Sequence, residues 1–163
     1  MAAPRKKALI STGLAAQNRR ARFDYKIGDT IEAGLVLLGP EVKSLRAGRA
    51  SLNEAWAGER DGEIWLFGCH IGEWQPGSFM AKMDPVRPRK LLLHKKQVRE
   101  LTGAVTRAGA TIVPLEIRFN EKGRAKVLIG LASGKKMHDK RADIAARDWQ
   151  RDKARLMRNK GRE

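Results

Sequence analysis

Cysteine is almost missing from this chain. Cys69 is the only one among 163 residues, which excludes an intrachain disulfide and points to a reducing, cytoplasmic compartment. Histidine is scarce too: beside Cys69 stands His70, and His94 and His138 are not at ligand spacing, so no metal site is expected. No apolar run approaches the roughly 18 residues of a membrane-spanning helix, and no long basic amphipathic helix carries a bulky apolar face. Acidic residues are outnumbered, 18 against 34 Lys and Arg, for a formal charge of +16. So large an excess costs self-repulsion and calls for a polyanionic partner, nucleic acid before membrane.

Catalytic patterns are missing as well. There is no Gly-x-Ser-x-Gly, no His-Glu-x-x-His, and no tight acidic cluster suited to metal-dependent nuclease chemistry. Gly130-Leu-Ala-Ser-Gly134-Lys-Lys has three residues between its glycines, not four, and lysine where a magnesium-binding hydroxyl belongs. It reads as a strand end running into a basic tail. Neither an enzyme nor a cofactor is expected. At the N-terminus, Arg5, Lys6 and Lys7 precede Ala8-Leu9-Ile10, which Ser11, Thr12 and Gly13 interrupt. That is a flexible basic arm over residues 1–16 and not a secretory leader.

What is present centres on residues 32–56. Ile31, Ala33, Leu35 and Leu37 alternate as a strand, and Gly39-Pro40 ends it. Glu41–Arg46 can make one or two helical turns, with Val42 and Leu45 toward the core and Glu41, Lys43, Ser44 and Arg46 outward. Ahead of it, Asn18 can cap a short helix through Arg22, and Phe23, Tyr25 and Ile27 alternate as a first strand before a turn at Gly28-Asp29. Behind it, residues 52–59 and 63–71 flank Asp61-Gly62, a hairpin signal. Residues 72–90, punctuated by Pro76, Pro85 and Pro88, read as a long loop. Lys90–Gly109 reads as the main helix, with Leu92, Val98, Leu101 and Val105 on its apolar side and Gly109 as its left-handed cap. Residues 111–119 and 125–131 alternate cleanly around an Asn-Glu-Lys-Gly turn.

The sum is a mainly β chain: six strands, mostly antiparallel, with about three helices, in one unit over residues 17–133. Closed barrel and sandwich both fit that pattern. Residues 134–163 differ, holding eleven Lys or Arg against five Asp or Glu, with sparse apolar side chains. Such a tail buries too little surface to fold by itself and is expected to be disordered when free and helical when bound. The cations Arg19, Arg20, Arg22, Lys43, Arg46, Arg49, Arg87, Arg89, Lys90 and Lys126 together suit phosphate tracking, which positions without reading sequence. Glu32 stands apart, since an acid within a basic face can accept hydrogen bonds from base amino groups.

Several of these stretches carry a resemblance. Residues 32–52 (EAGLVLLGPEVKSLRAGRASL), Asn18–Tyr25 (NRRARFDY), Asp84–His94 (DPVRPRKLLLH), Val113-Pro-Leu115 and Gly134–Arg141 (GKKMHDKR) are similar, in order, to the blocks of the small protein B family. Its bacterial members are the SsrA-binding partners of transfer-messenger RNA. The resemblance covers roughly residues 17–160 and implies an OB-like β-barrel. It implies binding to the tRNA-like domain of transfer-messenger RNA, delivery to stalled ribosomes for trans-translation, and contact with elongation factor Tu through the RNA. By position, the RNA-contact residues it implies are Asn18, Arg19, Arg20, Glu32, Glu41, Lys43, Ser44, Arg46, Leu92 and Lys126. Asp139, Lys140 and Arg141 match the tail motif, and with His138, Ile144, Trp149, Leu156 and Met157 would engage the decoding site and messenger channel.

Overall fold

A computed structural model describes residues 9–74, 83–134 and 137–160. Among the described residues nine strands and four helices follow one another: β1 Gly13–Gln17, α1 Ala21–Asp24, β2 Tyr25–Leu35, α2 Gly39–Arg46, β3 Ala50–Ser51, β4 Trp56–Arg60 and β5 Glu63–Phe67. After these come β6 His70–Ile71, β7 Arg89–Leu92, α3 Lys95–Ala108, β8 Thr111–Phe119, β9 Ala125–Gly134 and α4 Met137–Lys160. Six strands close into an antiparallel ring in the order β8-β4-β5-β7-β2-β9, with β9 returning to β8; β1 adds to β8 from outside, and β3 pairs with β6 separately. The weakest seam is β4–β8, joined only at Ala57↔Ile112.

Alternation dictates the interior. On β5, Ile64 and Leu66 point inward between half-buried Glu63, Trp65 and Phe67. Ile117, Val127 and Ile129 from β8 and β9 join them, and Leu45 of α2 and Leu101 of α3 pack into the same cluster. The hairpin at Asp61-Gly62 forms as its residues demand, both at positive φ of 53° and 77°.

The structure departs from the sequence expectations in identifiable places. The arm expected over residues 1–16 ends in β1, which pairs Gly13 with Phe119 and Gln17 with Glu116. Phe23 lies in α1, and the two strands expected around Gly28-Asp29 are one strand, β2. Its pairing with β9 slips between Ile27 and Thr30, so the glycine marks a bulge and not a turn. The 63–71 run breaks at Gly68, whose φ of 67° and approach to the Glu54 carbonyl leave no room for a side chain. The long loop ends in β7, and the main helix begins at Lys95 rather than Lys90. There the backbone N–H of His94 donates to Gln97 Oε1 at 3.0 Å, starting the helix. Leu92 therefore belongs to a strand and not to the helix. Part of that loop, including Pro76, lies outside the described residues.

The basic tail is a 24-residue helix, α4. It meets α1 through Lys140 Nζ, 3.7 Å from Asp24 Oδ1, and through Arg147, whose guanidinium lies 5.2 Å from the Phe23 ring centre. Ile144, Trp149, Leu156 and Met157 stay outside, with Trp149 and Leu156 each 70% exposed.

Candidate nucleic-acid interface

Three adjacent strands build the site. On β2, Gly34 stands opposite Leu92 of β7 on one side and Lys126 of β9 on the other. The three residues make a row across the sheet, and Glu32, two residues back along β2, shares their face because side chains alternate. Ala33 and Leu35 point inward, 1% and 8% exposed, which sends Glu32 out. Gly34 is buried and carries no side chain where one would crowd Leu92 Cβ at 3.1 Å, so the Leu92 side chain lies across the middle of the row. Over it opens a concavity of about 610 Å³, also lined by His94, Lys95, Gln97 and Arg99 from the start of α3 and by Lys90 and Glu63. Lys90 Nζ pairs with Glu63 Oε2 along one edge. One exposed acid, an exposed aliphatic side chain and several cations thus face one hollow.

Other expected contact residues have different surroundings. Glu41 and Ser44, expected to face outward, are 5% and 0% exposed. The Glu41 carboxylate receives Arg87 Nε at 2.9 Å and Arg87 Nη2 on Oε1, and Arg89 Nε on Oε2. The Leu38 N–H also donates to Oε1, at 3.2 Å, fixing the start of α2. Burial works to raise the Glu41 pKa, yet hydrogen bonds from Arg87 and Arg89, together with the Arg89 charge, prevail and hold it below the usual carboxylate value. Ser44 Oγ donates to the Gly72 carbonyl. Arg87 and Arg89, expected among the phosphate-tracking cations, are therefore committed inside, and Arg89 is wholly buried. The physical reason is long-range: the partners of Glu41 lie 46 and 48 residues away in the chain.

Arg46 is half-buried and also holds structure together. Its guanidinium donates to the Ile10, Ser11 and Gly123 carbonyls at 2.9, 3.1 and 3.0 Å and lies 4.3 Å from the Phe119 ring centre. That grip places the segment ahead of β1. Asn18 is buried: its side-chain amide donates to the Pro114 carbonyl and its Oδ1 accepts the Ala21 N–H at 3.1 Å, bracing the turn ahead of α1, whose N-cap is Arg20 and which runs to Asp24 and not Arg22. Arg19, Arg20 and Lys43 are exposed, Arg20 sitting 3.5 Å from Asp24. Asn18 and Arg20 line a second concavity, of about 330 Å³, which shares no residue with the first. On α4, His138 Nε2 lies 2.9 Å from Asp139 Oδ1, and Arg141, Ile144 and Met157 are exposed. Sequence reasoning missed His94, Lys95 and Arg99 as lining residues; their place follows from β7, which carried no local signal.

A ringed antiparallel sheet, an open hollow with four cations against two acids, and a basic helical extension together have the form of a nucleic-acid-binding protein. The family model described as SmpB protein matches residues 15–159. The chain belongs to the SmpB protein family. It is 65% identical over 156 residues to the SsrA-binding protein of Granulibacter bethesdensis, covering 96% of each chain. It is 59% identical over 160 residues to that of Acidiphilium cryptum, covering 98% of this chain and all of the relative. Among solved structures, a chain from "tmRNA-SmpB: a journey to the center of the bacterial ribosome" superposes with a TM-score of 0.63 at 51% identity, covering 78% of this chain and 86% of that one.

Proposed function

We propose that this protein binds transfer-messenger RNA and brings it to stalled ribosomes for trans-translation, acting in the cytoplasm without catalysis of its own. Membership of a family whose relatives are named SsrA-binding proteins carries the reading, and the hollow holding Glu32, Leu92 and Lys126 together supports it. The strand ring is read as an OB-like barrel, a fold whose faces take nucleic acid. The RNA contact is assigned to the tRNA-like domain. Lys126 and the α3 cations neutralise phosphates, Leu92 packs on an exposed base or sugar, and the Glu32 carboxylate accepts hydrogen bonds from base amino groups. Arg19, Arg20 and Lys43 extend the contact. Asn18, Glu41, Ser44 and Arg46 serve it by positioning, because their polar atoms are spent on the protein itself.

The α4 residues His138, Asp139, Lys140, Arg141, Ile144, Trp149, Leu156 and Met157 are assigned to the ribosome's decoding site and messenger channel. Elongation factor Tu joins through the RNA. The deciding experiment compares Glu32→Ala and wild type on transfer-messenger RNA and on a random RNA duplex of equal length. Glu32→Ala should weaken the cognate RNA far more than the duplex. Equal effects on both, or none on either, would refute the assignment.

A further inference from the structure

The outer face of the β4–β5 hairpin carries a feature unrelated to the Glu32 hollow. Trp56 is 51% exposed, although its ring is firmly placed. It stacks on Phe67 with centroids 4.5 Å apart and planes 23° from parallel. It also lies over Gly58, where an added Cβ would meet the indole at 2.8 Å. The ring is thus laid flat along the strand on a glycine and a phenyl, half of it open to solvent.

Between this indole and α3 runs a slot of about 260 Å³, walled by Gly58, Thr102, Val105, Thr106 and Thr111. The slot is smaller than the roughly 300 Å³ at which drug-sized ligand pockets begin, which suits one flat ring system and not a peptide helix. Thr102 Oγ1, in its wall, is buried and has no hydrogen-bond partner among the described residues. Trp56 and Thr111 also line the neighbouring concavity, which holds Arg20 and Asn53 beside the acids Asp24 and Glu54. An aromatic plate flanked by a guanidinium on a chain of charge +16 fits a planar ring attached to an anion. The Glu59 carboxylate, at the slot's rim, keeps phosphate out of the slot itself and can accept from an exocyclic amino group.

We infer that the slot between Trp56 and α3 receives an unpaired nucleobase of RNA, stacked on the Trp56 ring, with its phosphate toward Arg20. The inference rests on the RNA-binding reading above, but of the residues assigned there only Asn18 and Arg20 recur. Every base has a π face, so the slot accepts bases with little sequence preference.

The test uses the full-length chain and two single-stranded probes, hexauridylate and hexaadenylate. Trp56→Ala should weaken both by roughly 5- to 100-fold, the scale of one base–aromatic stack, and Trp56→Phe should restore most of the loss. Val105→Trp leaves the plate intact and fills the slot from α3, so it should show the same loss even if Trp56→Ala folds poorly. Wild-type affinity in both Trp56→Ala and Val105→Trp would overturn the inference. A probe that ultraviolet light crosslinks only to the Glu32 hollow would overturn it too. The same variants on transfer-messenger RNA and on small ribosomal subunits identify which RNA supplies the base; loss on either supports the slot, and loss on neither overturns it. Failure here with Glu32-dependent transfer-messenger RNA binding intact leaves the proposed function standing. Trp56-dependent probe binding without transfer-messenger RNA binding does the reverse.

Discussion

Removing the Glu41 carboxylate should be among the most damaging single changes in this protein. Glu41 and Arg89 are 5% and 0% exposed, and Arg89 also donates to the Cys69 and Pro85 carbonyls at 2.6 and 3.0 Å. The cluster therefore ties the start of α2 to the β5–β6 connection and the approach to β7. Glu41→Ala strands a buried guanidinium with only neutral acceptors, and breaking a buried ion pair from one side costs about 3–5 kcal/mol. Against a total stability of about 5–15 kcal/mol that is a large fraction. With a urea m-value of about 1.5 kcal/mol per molar, the unfolding midpoint followed by circular dichroism should fall by about 2–3 M. Glu41→Gln, which keeps the shape and one acceptor, should fall between. The sign with pH is fixed by the depressed folded pKa. The carboxylate's contribution is fully present above its ordinary value of 4.5 and is lost as pH falls through the lower folded value. The gap between wild type and Glu41→Ala should therefore close as the buffer is taken from pH 7 down past that range. A loss under about 1 kcal/mol at pH 7, or a gap that stays constant on acidification, would refute the reasoning.

Burial pushes the Cys69 thiol up to about 11, with Glu41 adding to the rise and Arg89 opposing it; at pH 8 a disulfide reagent should label it only as fast as the protein unfolds, and rapid stoichiometric labelling would contradict this. If about six phosphates are neutralised, the logarithm of transfer-messenger RNA affinity should fall against the logarithm of salt with a slope of roughly −4 to −5, and a slope near zero would remove the electrostatic account. A chain ending at Gly134 keeps β9 whole and gives up the tail's contacts with α1, so it should fold and bind transfer-messenger RNA within a few-fold of wild type yet fail to support peptide tagging on stalled ribosomes; loss of RNA binding, or retained tagging, would show that the two roles do not divide there. Asp24→Asn, which removes the charge that Lys140 and Arg20 share, should loosen α4 from α1 and raise amide exchange along the tail with little change in the melting temperature; unchanged exchange would mean the Arg147–Phe23 contact suffices.

Period-2 alternation made the strands at residues 111–119 and 125–131 legible, and Asp61-Gly62 announced its hairpin, because those features depend on neighbours in sequence. β7 did not announce itself. Its four residues, Arg89–Leu92, are a strand because Leu92 and Leu91 meet β2 while Lys90 and Arg89 meet β5, and neither partner is near in the chain. β1 was hidden for the same reason: its ladder is with β8, about a hundred residues on. The two acids of the central stretch divide along the same line. Glu32 could be placed by alternation, since buried Ala33 and Leu35 force it outward. Glu41 could not. The Val42–Leu45 spacing marked one apolar stripe of α2, but the helix also buries Glu41 and Ser44, and only the distant Arg87, Arg89 and Gly72 make that tolerable. A carboxylate satisfied by two arginines from across the fold has no signature in its own helix. Family resemblance marks Glu32 and Glu41 alike, and the structure separates one that faces the open hollow from one that ties α2 to the residues at and just before β7.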